Sequence, residues 1–343
     1  MTKKVTITDV AKQANVSKST VSQYLSGRFE YMGIETKTRI KNAISNLEYQ
    51  PNIVARSLKK KKTSTIGVIV ANILHSYSTQ VLRSIENVCN KNGYSTIICN
   101  ADDNSIKEKK YIETLLAKQV DGLIVLPTSG NMEIYEKLLM QNFPIVFLDR
   151  LVNGLNVDTV LLDNEKASKL AVEHLLDNEY KNIAMVTTSL IDNVTPRVER
   201  INGYVNSLEE HGIPINDEYI KGLDLNSLQG GLEELFSLEK PPSAVISGND
   251  FTLMEILKYA FYHDIKIGED IGLITIDEVS FGSIHSPTLT TIAQPTFEMG
   301  TEVAKILLDK INNKKTNSKP RVHRHEPSLI IRNSSKKVGV VNE

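Results

Sequence analysis

From Thr65 onward the chain alternates two apolar patterns. Short β-branched runs of four to six residues occupy positions 65–70 (TIGVIV), 95–99, 122–126, 144–148, 159–162, 182–186, 244–247 and 272–276. They are nearly continuous in apolar residues, as strands covered on both faces must be. Between them apolar residues recur every three or four positions: Val81, Leu82, Ile85 and Val88 in 78–91; Ala167, Leu170, Ala171 and Leu175 in 164–176; Ile201, Tyr204, Val205 and Leu208 in 197–210. Residues 250–262 and 295–311 repeat the pattern with Leu253, Ile256, Leu257, Ala260 and with Met299, Val303, Ile306, Leu307. That is the helical period. Alternating strands and helices predict parallel sheets covered by helices. The roughly 270 residues involved exceed one sheet of ordinary size, so two α/β lobes are expected.

The first 48 residues read differently. In 7–25 (ITDVAKQANVSKSTVSQYL) Thr8 is placed to cap a helix with Asp9 in its first turn, favourable at the positive end of a helix dipole. Ile7, Val10, Ala11 and Ala14 line one side. Asn15 tolerates the left-handed conformation a tight turn needs, and Val16 plugs that turn. Ser17 caps a second helix over 18–25, with Val21 and Leu25 inward; a third is expected over 35–47, with Ile40, Ala43, Ile44 and Leu47 on one face. The second helix leaves Lys18, Ser19, Thr20, Ser22 and Gln23 outward. Short polar and amide side chains with one cation suit base edges and phosphates in a DNA major groove; a solvated amphipathic hairpin is the alternative.

Charge changes that balance. The net charge is −1, but residues 1–62 hold 13 Lys+Arg against 4 Asp+Glu, a net of +9, and the remainder carries −10. A basic head on an acidic body points one end at a polyanion. The connector 49–63 opens on Pro51 at a helix-entry position and holds too few helix-compatible residues for a helix that stands alone. Leu58 beside the lysines 59–62 has the chemistry of a minor-groove wedge, or else belongs to a solvated linker and packs on the body. The expected division is 1–48 headpiece, 49–63 hinge, 64–333 two-lobed body and 334–343 tail. The tail lacks apolar heptads, which favours a dimer over a coiled-coil tetramer.

Several classes fall away. No apolar run approaches the ~20 residues of a membrane span. The N-terminus lacks the apolar core of a secretory leader, so a cytoplasmic protein is expected. Cys89 and Cys99 are expected as free thiols in a reducing compartment. Dinucleotide, P-loop, zinc-hydrolase and nucleophile-elbow motifs are missing, so no enzyme, cofactor or metal is expected. Asp102–Asp103 lacks a catalytic partner, Gly230–Gly231 reads as a helix-flanking turn, and His323 and His325 read as exposed tail residues. A sugar-binding receptor without DNA function is the rival reading of the body alone.

Ile7-Thr8-Asp9-Val10-Ala11, Val16-Ser17-Lys18-Ser19-Thr20-Val21-Ser22 and the stretch from Tyr49-Gln50-Pro51-Asn52 to Ala55-Arg56-Ser57-Leu58 resemble the headpiece and hinge of the lactose-repressor/galactose-repressor (LacI/GalR) family. The resemblance continues through Asp163-Asn164, Arg200-Ile201-Asn202-Gly203-Tyr204, Gly248-Asn249-Asp250, Thr290 to Pro295 and Met299-Gly300. It implies a small all-α helix-turn-helix headpiece on an α/β periplasmic-binding-protein-like (type I) body with two lobes and parallel sheets. It also implies a homodimer on double-stranded operator DNA, a repressor of carbohydrate catabolism, and a small-molecule effector between the lobes. By position, Lys18, Ser19 and Gln23 would read bases, Thr20 and Ser22 would hold phosphates, and Leu58 would wedge the central step. Thr8, Ser17, Asn52, Ala55 and Lys59 complete the DNA-contacting set. The segment 28–34 (RFEYMGI) is longer than the family's usual connection, and Glu35 stands where Ser is usual. Residues 70–75 and 163–168 are similar to repressors of 2-keto-3-deoxygluconate utilisation.

Open α/β sheets bind ligands outside the carboxyl ends of their strands. Tyr77 follows the first strand, Asn100 and Asp102 the second, Asp149 and Arg150 the fourth. Arg197 and Arg200 open a helix, Asn249 and Asp277 follow later strands, and Gln294 lies on a crossover. Carboxylates and amides suit sugar hydroxyls, while arginines grip a carboxylate or phosphate, so a sugar acid or sugar phosphate is expected. Other readings stand beside these: Asp250 as a plain helix cap, Arg197 as a surface charge, Tyr77 as core.

Overall fold

The computed structural model describes residues 5–50, 62–312 and 319–336. It divides into two units, residues 1–63 and 64–343. Asn52, Ala55, Leu58 and Lys59 lie outside the described residues.

The first unit contains α1 (Ile7–Gln13), α2 (Lys18–Leu25) and α3 (Ile34–Asn46). Thr6, not Thr8, caps α1: its N–H and hydroxyl both reach the Asp9 carboxylate, at 2.8 and 2.7 Å. The spacing decides this. Thr6 stands three residues before an acid, as a capping box requires, and Thr8 is left exposed inside the first turn. Asn15 makes the turn at φ 51°, and Ser17 caps α2 by accepting from the Thr20 N–H at 3.1 Å. Val10, Ala11, Ala14, Val21, Ile40 and Ala43 form the core. Met32, from the long connection after α2, completes that core.

The second unit runs β1 (Thr65–Val70), α4 (Ser76–Lys91), β2 (Ser95–Asn100), α5 (Ser105–Ala117), β3 (Gly122–Val125), α6 (Met132–Met140), β4 (Ile145–Leu148), β5 (Thr159–Leu162) and α7 (Asn164–Asp177). It continues with β6 (Ile183–Thr188), α8 (Thr195–Glu210), β7 (Ile220–Leu223), α9 (Leu228–Phe236), β8 (Ala244–Ser247), α10 (Asp250–Tyr262) and β9 (Gly272–Ile276). β10 (Thr290–Ala293), α11 (Thr296–Asn312), β11 (Val322–His325) and β12 (Ser328–Ile330) close the chain. Two six-stranded sheets result, in the orders β11-β5-β4-β3-β1-β2 and β12-β10-β9-β8-β6-β7. Among the described residues every strand pairing is parallel except β12 against β10. The chain crosses between lobes after β5, after β10 and after β11, as the change of sheet at each point requires. This is the expected two-lobed α/β body.

Two glycines in the quoted motifs have a packing reason. A Cβ on Gly203 of α8 would lie 2.3 Å from the Glu165 carbonyl of α7, and one on Gly300 of α11 would lie 2.8 Å from the Val81 carbonyl of α4. These helix pairs cross backbone to backbone, which only glycine allows.

Some expectations are corrected. Ser334 and Ser335 are not tail but buried pins. The Ser334 hydroxyl donates to the Leu273 carbonyl at 2.6 Å, and Ser335 meets Thr290 and His174. His323 and His325 sit on β11 beside β5, and their imidazoles share the Glu302 carboxylate at 2.9 and 2.6 Å. Gly230–Gly231 lies inside α9, where Gly231 makes room for Leu223.

Candidate functional site

On the headpiece the outward face of α2 begins with its cap. The Ser17 hydroxyl lies 2.6 Å from the Ser19 hydroxyl and 2.8 Å from that of Thr20. Lys18, Ser19 and Gln23 are exposed, and Thr20 and Ser22 are half-buried at the edges. A helix N-terminus with clustered hydroxyls and a cation supplies donors for phosphate oxygens, and the amide one turn on can address a base edge.

In the body a cleft lies between the lobes at the carboxyl ends of the strands, with about 500 Å³ of space not filled by protein, part of it open to solvent. From the first lobe come Tyr77 at the start of α4 and Asp149 and Arg150 after β4. From the second come Arg197 and Arg200 on α8, Asn249 after β8 and Asp277 after β9; Gln294 stands on a crossover. The structure thus brings together eight of the ten expected side chains.

Asn100 and Asp102 are not among them. Asn100 accepts from the Ile73 N–H at 3.0 Å and donates to Asp102 at 2.6 Å, holding the loop after β1. Asp102 pairs with Lys107 on the surface. Two consecutive left-handed residues, Asp102 (φ 52°) and Asp103 (φ 51°), turn the chain so that Asp103 faces the arginines instead. Sequence reasoning also missed Asn72 and His75, on the loop after β1, and Ser78, in the first turn of α4, which line the cleft.

The two acids at strand ends share a backbone device. Asp149 (φ 68°) and Asp277 (φ 116°) leave their strands with positive φ, each N–H still bonded to the neighbouring strand, at the Val160 and Ile292 carbonyls. Asp277 is 5% exposed. Burial pushes its carboxyl up to about 6, partly offset by the Arg200 charge, and Gln294 donates to it at 2.5 Å. Burial, with Asp149 and Asp277 nearby, also pushes the Tyr77 phenol above its ordinary range, so it remains a donor.

The cations differ in their engagement. Arg150 donates to Asp103 at 2.8 Å; Arg197 donates to the Ser189 carbonyl at 2.8 Å and lies 3.9 Å from Asp103. Arg197 is therefore a cleft residue and not a surface charge. Arg200 donates to the Asn164 amide oxygen at 2.9 Å and the Gly248 carbonyl at 2.5 Å, both neutral. Asn249, not Asp250, caps α10, accepting from the Thr252 N–H at 2.9 Å. The Tyr77 hydroxyl, Arg150 Nε and Gln294 Oε1 are buried with no hydrogen-bond partner among the described residues. Orphaned polar atoms converging on a cleft mark a place built for a polar guest. Among the described residues no His, Cys, Asp and Glu group is placed to hold a metal, and no helix is long and apolar enough to cross a membrane.

Residues 63–332 match the family described as periplasmic binding proteins and sugar binding domain of the LacI family, and residues 6–52 match bacterial regulatory proteins of the lacI family. The chain is 47% identical over 310 residues to the probable HTH-type transcriptional regulator EndR of Paenibacillus polymyxa, covering 90% of this chain and 91% of that one. It is 32% identical to the HTH-type transcriptional regulator KdgR of Bacillus subtilis (strain 168), covering 96% and 97%. A solved structure of the Lac repressor dimer bound to operator and the anti-inducer ONPF superposes with a TM-score of 0.83 at 24% identity, covering 97% of this chain and all of that one. The chain belongs to the LacI family, as a DNA-binding transcriptional regulator and not an enzyme.

Proposed function

We propose that this regulator is a cytoplasmic repressor of carbohydrate catabolism, bound to operator DNA as a homodimer and controlled by an acidic sugar in the cleft. Lys18, Ser19 and Gln23 read bases, Thr20 and Ser22 hold phosphates, Leu58 wedges into the central minor-groove step, and Thr8, Ser17, Asn52, Ala55 and Lys59 complete the DNA-contacting set. The exposed polar face of α2 on a head of +9 net charge supports the DNA reading.

One observation carries the effector reading: Tyr77, Arg150 and Gln294 each bury a polar atom with no hydrogen-bond partner among the described residues, in a cleft shared by both lobes. Asn249, Asp277 and Gln294 suit hydroxyls. Arg200, held only by neutral acceptors among the described residues, suits a carboxylate. Of the acidic classes a monoanion fits better than a phosphate, because Asp103 already answers Arg150 and Arg197. The resemblance of residues 70–75 and 163–168 to repressors of 2-keto-3-deoxygluconate utilisation favours 2-keto-3-deoxygluconate within that class.

The test is a shift assay on the protein's own promoter region, titrated with neutral sugars, sugar acids and sugar phosphates. A sugar acid should move the operator midpoint. Response to neutral sugars alone would remove the acidic-effector reading, and no complex at low salt would remove the whole proposal.

A further inference from the structure

Asp103 joins the two lobes at one edge of the cleft. It stands on the loop after β2, fixed by its own N–H to the Ala71 carbonyl at 2.7 Å. One carboxylate oxygen accepts from Arg150 Nη1 of the same lobe at 2.8 Å, and the other lies 3.9 Å from Arg197 Nη2 of the opposite lobe. Burial pushes this carboxyl up, but the two guanidinium groups outweigh it and hold it below the ordinary carboxylate range. It is therefore ionised at neutral pH, and sits beside two of the arginines that line the cleft.

We propose that Asp103 is a specificity-determining residue that sets the charge of the effector. Asp103 answers Arg150 and Arg197 from within the protein, with Asp149 3.7 Å from Arg150 Nε, while Arg200 hydrogen-bonds only neutral acceptors among the described residues and shares its charge with Asp277; Asp103 repels a second negative charge at the cleft edge. A sugar monocarboxylate is admitted, and a sugar phosphate of the same skeleton is rejected. Rejection of this kind works by an unfavourable contact with the wrong ligand, not by a better contact with the right one. The inference rests on the acidic-effector reading above and adds which residue enforces it.

Calorimetric titration of D-glucuronate, 2-keto-3-deoxygluconate and their phosphorylated counterparts into the full-length protein tests it, with wild type, Asp103→Asn and Asp103→Glu compared. Asp103→Asn should raise the ratio of phosphate to carboxylate affinity at least tenfold, and Asp103→Glu should keep the wild-type preference. Melting curves identify a variant that fails to fold, in which case the Asp103→Glu preference and the salt dependence of wild-type carboxylate binding decide: a preference lost in Asp103→Glu supports a merely structural role. Wild type that binds the acids with a ratio unchanged in Asp103→Asn overturns this inference alone. Wild type that binds none of the acids overturns the acidic-effector reading and this inference with it.

Discussion

Asp250, the first residue of α10 in one lobe, accepts hydrogen bonds from His75 Nδ1 at 2.5 Å and from the Ser76 N–H at 2.7 Å in the other. Phe251 stacks on the same imidazole with ring centroids 3.9 Å apart. Burial pushes the Asp250 carboxyl up, but His75 and the Ser76 N–H outweigh it, and the group ends below its ordinary range. The joint across the cleft is charge-assisted and requires Asp250 ionised.

Replacing Asp250 with Ala should therefore destabilise the body by about 1–3 kcal/mol at pH 7, since a buried hydrogen-bonded carboxylate is lost. A folded-state pKa held below the unfolded one stabilises above the ordinary carboxylate range and stops doing so as pH falls through the folded value. Urea unfolding at pH 7 and at pH 3 should show a gap between wild type and variant that narrows at the lower pH. Equal midpoints at pH 7 would mean that the joint contributes nothing.

Asp277 has the opposite sign. Its carboxyl titrates near 6 against an ordinary 3.8. Ionising it in the fold costs about 2–3 kcal/mol relative to the unfolded chain. That cost is absent below about pH 4, grows between the two values and is complete above the folded one. Asp277→Asn should be more stable than wild type at pH 7–8 and equal to it at pH 4, with weaker ligand binding. A variant less stable than wild type across that range would contradict the buried-charge account.

Glycine substitutions separate packing from conformation. Gly203→Ala drives a Cβ into backbone at 2.3 Å and should cost about 1–3 kcal/mol. Gly230→Ala meets open space within α9 and should stabilise by up to about 1 kcal/mol. Denaturant midpoints of the two variants should shift in opposite directions.

The sequence revealed the sheet interiors because β1, β5, β8 and β9 are continuous apolar runs. It missed β7, β11 (VHRH) and β12, short strands with half-exposed or exposed residues, together with the buried β10, the helices α5 and α6, and α9, whose paired glycines imitate a turn. Strand ends located most of the cleft, since a side chain just past a buried strand has nowhere else to go. The choice between Asp102 and Asp103 was not legible: two adjacent left-handed residues decide it, and no periodicity encodes them. Asp250 was read as a cap because Asn249 and Asp250 both favour that role, and only the fold shows the opposite lobe within reach.

Gln23→Ala tests the recognition helix. It should cost about 1–3 kcal/mol on the operator and little on unrelated DNA, because an amide reading a base edge contributes to discrimination, not to backbone affinity. Competition between operator and scrambled duplex reads the ratio; equal losses on both would assign Gln23 to phosphate.

In the proposed function a guest in the cleft adjusts the grip of the headpiece on DNA. Fluorescence anisotropy of an operator duplex, with wild type and with Arg200→Lys, across a titration of 2-keto-3-deoxygluconate, measures it directly. Operator affinity should shift about five- to 150-fold with ligand for wild type, the range of a 1–3 kcal/mol coupling, with the shift displaced to higher ligand concentration in the variant. An operator affinity that stays constant while the same ligand saturates the cleft would contradict it.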